Sequence, residues 1–93
     1  MNKEFNEDTW KEVLSIFEDE LKKAGIDYNY KVKIYKINKE FDEAAMLQIF
    51  KIGEDNIDWG VAQMPLGFAH NMLLKNKESF LERVISVLIN YYE

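Results

Sequence analysis

Between Trp10 and Ala24 apolar residues return at helical spacing. Trp10, Val13, Leu14, Phe17, Leu21 and Ala24 fall within one arc at about 100° per residue, and Lys11, Glu12, Ser15, Glu18, Asp19 and Lys22 lie opposite. Ile16 alone projects on the polar side. Thr9 and Glu12 have the spacing of a capping box, in which the hydroxyl and the carboxylate each satisfy a free N–H at a helix start. Lys22 and Lys23 stand where cations favour a helix end, and Gly25 is the expected stop.

The pattern then changes to a period of two. From Tyr28 to Ile37, Tyr30, Val32 and Ile34 alternate with Lys31 and Lys33, as in a strand with one buried face. Ala44 to Ile52 is apolar on both parities, which predicts a central strand covered on both sides. Ile57 to Met64 resumes the alternation, with Ile57, Trp59 and Val61 on one face and Pro65 closing it. Three successive strands with short connections predict an antiparallel meander.

The remainder, Phe68 to Tyr92, reads as helix, and Asn76 with Ser79 three residues on predicts a cap that divides it into a short and a longer piece. In the longer piece the apolar residues from Phe80 to Tyr92 span an arc of roughly 200°, about twice the width of one core-facing stripe. Such a helix must touch more than one neighbour: it wedges between sheet and first helix, or it reserves a face for a partner. The expectation is a two-layer α+β domain over residues 1–93, in α-β-β-β-α order, with the helices packed on the sheet.

Composition adds constraints. Apolar residues form 47% of the chain and aromatics 14%, enough to offset ordering entropy. No cysteine is present, so the core must hold without disulfides or thiolate metal sites, consistent with a reduced, cytoplasmic setting. The first residues lack the basic start and apolar run of a signal peptide, and no apolar stretch reaches bilayer length.

The element order is shared with the double-stranded-RNA-binding domain, but the likeness stops there. Those domains read phosphates and 2′-hydroxyls with basic loops and a Lys-rich helix start, whereas here the corresponding helix begins Gly67-Phe68-Ala69-His70-Asn71. The net charge is −5, and eleven of the 12 basic residues are Lys, with Arg83 the only source of a guanidinium fork. Direct nucleic-acid binding is therefore not expected.

Candidate chemistry is sparse. His70 has no Cys, Ser or Asp at nucleophile spacing. Residues 53–60 contain the oxygen ligands of a calcium loop in the wrong register: with Glu54 as first ligand, Trp59 takes the glycine position and Pro65 that of the bidentate Glu. No glycine-rich phosphate loop follows any strand. Neither enzymatic activity nor a cofactor or metal is expected.

Charge placement is more informative. Residues 1–27 hold eight acids and four bases, residues 28–39 four Lys and no acid, and residues 40–58 six acids and one Lys. If the first helix runs antiparallel to the strand after it, Glu18, Asp19, Glu20 and Asp27 approach Glu54, Asp55 and Asp58 at one end. By the same argument Glu7, Asp8 and Glu12 approach Glu40, Asp42 and Glu43 at the other. Like charges so close repel unless lysines of the next strand or a partner meet them. This predicts a protein-binding module whose partner is a basic, nucleic-acid-handling protein, with Trp59 or Tyr35 as aromatic anchor. Phage anti-CRISPR proteins and toxin-immunity proteins are similar in size, acidity and lack of catalytic residues, a likeness of class that rests on no motif. The alternatives are a homodimeric scaffold or chaperone-like module joined through Ile89, Tyr91 and Tyr92, and a carrier for a small apolar ligand.

Overall fold

A computed structural model describes residues 7–36, 45–53 and 57–92. Its order is α1 (Glu7–Lys23), β1 (Tyr30–Lys36), β2 (Ala45–Ile52), β3 (Asp58–Pro65) and α2 (Leu66–Tyr92). The strands form one antiparallel sheet in the order β1-β2-β3, the predicted meander.

Helix α1 seats Val13, Phe17 and Leu21, one turn apart, in the core, with Trp10, Leu14 and Ile16 packed partly against it. Ile16 is thus closer to the core than its place on the wheel suggests. Ala24 is exposed, although its N–H still donates to the Glu20 carbonyl at 3.0 Å. The helix begins at Glu7, so Thr9 lies within its first turn and not at the expected cap. Asp8 occupies that turn too, where the positive end of the helix dipole favours a carboxylate.

The C-terminal end follows the glycine signal closely. Gly25 takes a φ of 77°, the Gly25 N–H donates to the Lys22 carbonyl, and the Ile26 N–H donates to the Leu21 carbonyl, each at 3.0 Å. This is the Schellman arrangement, and its apolar contact is present because Leu21 and Ile26 are both buried.

Both helices lie on one face of the sheet. Tyr30 and Val32 of β1 and Ala45, Leu47 and Ile49 of β2 share a buried cluster with the α1 residues and with Leu66, Ala69, Leu73, Phe80, Leu81 and Leu88 of α2. Phe80 holds the centre through edge-to-face contacts with Phe17 and Phe68, ring centroids 6.0 and 6.1 Å away. Helix α2 touches α1, β2 and β3, as the width of its apolar arc requires. It starts immediately after Pro65 and is broken at Asn76 (φ −142°, ψ 55°), the residue that the sequence marks as a cap.

Two expectations fail in the sheet. β2 is central, yet only one of its faces is covered: Met46, Gln48, Phe50 and Ile52 are half-buried on the side away from the helices. Neighbouring strands screen them instead of a third layer. In β3 the pairing register slips between Ile49 and Phe50, so that Ile49 faces Ala62 while Phe50 faces Gly60, and Val61 is the extra residue of a bulge. Trp59 and Val61 keep the predicted common side, Val61 packed partly against the core, but Ile57 and Trp59 overhang it and are exposed.

Candidate functional site

The register fixes which side chains can meet. Tyr30, Lys51 and Trp59 are paired across the three strands at one end of the sheet, on the helix side. The Asn29 carbonyl accepts the Ile52 N–H at 2.9 Å and the Ile57 carbonyl accepts the Gly53 N–H at 2.9 Å. Tyr28, Gly53 and Ile57 therefore stand one step further out. The C-terminal turns of α2 come to the same end: the Tyr30 hydroxyl donates to the Leu88 carbonyl at 3.3 Å, and the Lys51 ammonium donates to the Tyr92 carbonyl. Lys51 thus places a cation where the helix dipole is negative, and it also lies 5.8 Å from the centre of the Tyr30 ring.

This end of the molecule is where α1 finishes, as the charge argument requires. Glu18, Asp19 and Asp27 are exposed, Glu20 is half-buried, and Glu18, Asp19 and Asp27 form no ion pair with any described residue. Glu54 and Asp55 lie outside the described residues, as do Glu40, Asp42 and Glu43 of the opposite cluster, so neither predicted acidic end is seen whole.

Asp58 is placed apart. Side-chain alternation turns it to the open face of the sheet, opposite to Trp59, and there it pairs with Lys31 at 2.5 Å. Because β1 and β3 flank β2, the Lys31 stem crosses the central strand to make this bond. Lys33 stands 5.6 Å from the centre of the Phe50 ring on the same face. Two lysines of the acid-free segment thus cover the apolar side chains of β2, and among the described candidate acids Asp58 alone is paired with one of them. Tyr35 is separated from Trp59 as well: it pairs with Met46, five residues along β2 from Lys51, roughly 17 Å at strand spacing, and on the other face.

Exposed at the same end as Trp59 are Ile57, Tyr91 and Tyr92, the last two named by the scaffold alternative, and Tyr28, to which the sequence pattern gives no role. Apolar alternation at a strand end looks the same whether the last residue meets the core or overhangs it.

A groove of about 710 Å³ lies between α1 and α2, with Ile85 and Ile89 in its lining and Glu20, Lys23, Lys77 and Glu82 around them. Its charges are mixed and it opens to solvent, unlike the enclosed, largely apolar sites that hold small ligands. Among the described residues no three His, Asp or Glu side chains are grouped to hold a metal ion, and no helix is long and apolar enough to cross a membrane. Compared with protein families, characterised proteins and solved structures, the chain matches none at a significant level.

Proposed function

We propose that this chain is a non-enzymatic protein-binding module, a small acidic inhibitor that binds a basic nucleic-acid-handling protein and occupies its nucleic-acid site. Phage anti-CRISPR and toxin-immunity proteins fill such roles with similar size and charge. The observation that carries the reading is the position of the exposed, unpaired carboxylates. Glu18 and Asp19 sit about one turn before the carbonyl end of α1, exposed, and Asp27 follows in the turn after it. Left exposed and without an ion pair among the described residues, they are free to steer encounter with a positive surface.

The test uses the purified chain as bait, with proteins of a bacterial lysate identified at low and at high salt. Nucleic-acid-binding proteins should be retained at low salt, released by added duplex DNA, and lost to a Glu18→Gln, Asp19→Asn, Asp27→Asn variant. Retention that ignores DNA, salt and the substitutions overturns the reading. A second reading, a homodimeric scaffold, is favoured by the exposure of Val87 and Ile89 on α2. Sedimentation at micromolar concentration decides it: a dimer that Ile89→Glu converts to monomer supports the scaffold.

A further inference from the structure

We infer that the outer edge of β3 pairs antiparallel with the same edge of a second copy, joining two three-stranded sheets into one, an inference that stands apart from the acidic-inhibitor reading. β1 and β3 are the two edges of the sheet, and among the described residues neither has a further strand beside it. The two edges are not equivalent. β1 carries Lys31, Lys33 and Lys36, the residue type that most often keeps an edge from adding strands, and α1 rests against it. β3 carries Asp58 alone, at its first position and already paired with Lys31. From Ile57 to Leu74 no other residue is charged, with His70 neutral. Trp59, Gly60 and Gln63 are exposed along the strand. Such an unguarded edge offers a row of backbone N–H and C=O groups that only an extended chain can meet in register.

The bulge selects the occupant. Trp59, Val61, Ala62 and Met64 lie on the helix side of β3, the last three packed partly against the core, and Asp58, Gly60, Gln63 and Pro65 lie on the open side. Because Val61 and Ala62 share a side, this order of sides is the same read from either end. Residues directly opposite in an antiparallel pair must lie on one side of the sheet. A strand of regular alternation loses that match on passing Val61, which is how a bulge guards an edge. A second copy keeps the match throughout. With Val61 opposite Ala62 of the second copy, Gly60 meets its Gln63, Trp59 its Met64 and Asp58 its Pro65, every pair on one side. The methionine sulfur then comes beside an indole that is 65% exposed in the single chain.

The charges fit this arrangement. Asp58 of one copy stands roughly 23 Å along the paired strands from Asp58 of the other, at seven strand positions. Helix α1, with its carboxylates and lysines, rests on β1, two strands from the shared edge, and Lys51 lies on β2. Lys77, Glu78 and Glu82 of α2 line the groove toward α1. The joined sheet has the two lysine-bearing β1 strands as its outer edges, so that the guarded edges face water and the unguarded ones are paired.

Sedimentation equilibrium of the whole chain from micromolar to millimolar concentration should show a monomer in equilibrium with a dimer. Trp59→Lys combined with Gln63→Lys, both at exposed positions, should weaken dimerisation at least about tenfold with the circular dichroism spectrum unchanged, whereas Ile89→Glu should leave it intact. NMR of a mixture of isotope-labelled and unlabelled chains should show contacts between copies from the Trp59 indole to the Met64 methyl group, a readout that needs no variant to fold. A monomer at every concentration overturns the inference, as does a dimer that Ile89→Glu dissociates and the double substitution does not. A monomer whose β3 amide protons gain protection only in complex with a protein retained from the lysate would give the edge to that partner. Each of these results leaves the acidic-inhibitor reading to its own test with salt and duplex DNA.

Discussion

Adjacent residues of β2 provide a direct measure of the two sheet faces. Ile49 is fully buried on the helix side, and Phe50 is half-buried on the open side beneath Lys33. Ile49→Ala removes methyl groups from a packed core and should cost about 3 kcal/mol, within the range of about 2–5 for such truncations. Phe50 forfeits only part of the roughly 1.5–3 kcal/mol of a fully buried side chain, plus about 0.5 kcal/mol for the lysine over its ring, so Phe50→Ala should cost about 1–2 kcal/mol. Were β2 covered on both sides, as its composition suggests, Phe50→Ala would be the more damaging change, at about 3–5 kcal/mol. The order of the two effects is therefore diagnostic. Urea titration followed by far-ultraviolet circular dichroism reads it: with a slope of about 1–1.5 kcal/mol per molar urea, the midpoint should fall by about 2–3 M for Ile49→Ala and by about 1 M for Phe50→Ala. A Phe50→Ala midpoint at or below that of Ile49→Ala refutes the open face.

Other substitutions test single contacts. Gly25→Ala meets no atom within 4 Å, so its cost, about 1 kcal/mol from the positive φ alone, should largely vanish in Gly25→Asn, as read from thermal midpoints. In Gly53→Ala the new Cβ would come 2.5 Å from the Ile57 carbonyl oxygen and force the backbone to shift; loss of at least about 1 kcal/mol, with faster exchange of the Gly53 amide proton, is expected. A double-mutant cycle on Lys31 and Asp58, whose side chains are 40% and 27% exposed, should give a coupling below about 1 kcal/mol that shrinks with salt. Lys51→Met should lower stability by about 0.5–1 kcal/mol through loss of the cation at the α2 terminus, and a thermal midpoint equal to that of the unsubstituted chain would show the contact to be idle.

Much of the architecture can be read from residue order. The helical arc of α1, the Gly25 stop, the three strand segments and the break at Asn76 each rest on a local rule that the surrounding packing does not override. What escaped depends on tertiary context. Apolar residues on both parities of β2 signal a covered strand, yet the stems of Lys31 and Lys33 perform the covering that a third layer would otherwise supply. The bulge at Val61 left only a faint mark, Gly60 opposite Phe50, and one extra residue was enough to bring Ala62 beside Val61 against the core and to reverse the parity of the rest of β3. The candidate site was legible in part: the meeting of the α1 end with the β2–β3 end follows from chain direction, whereas the diversion of Asp58 to Lys31 follows from side-chain parity beyond the bulge.

The tie between the Tyr30 hydroxyl and the Leu88 carbonyl spans 58 residues. Closing a loop of that length costs about 3–4 kcal/mol of chain entropy before any contact within it forms. Hairpins and helical turns can assemble early, but the contact of Tyr30 with Leu88 forms only when the far end of α2 arrives. Helix α1 and β2 can cover β1 before that, so the arrival of the far end of α2 closes the core over a first strand already packed by its neighbours in sequence.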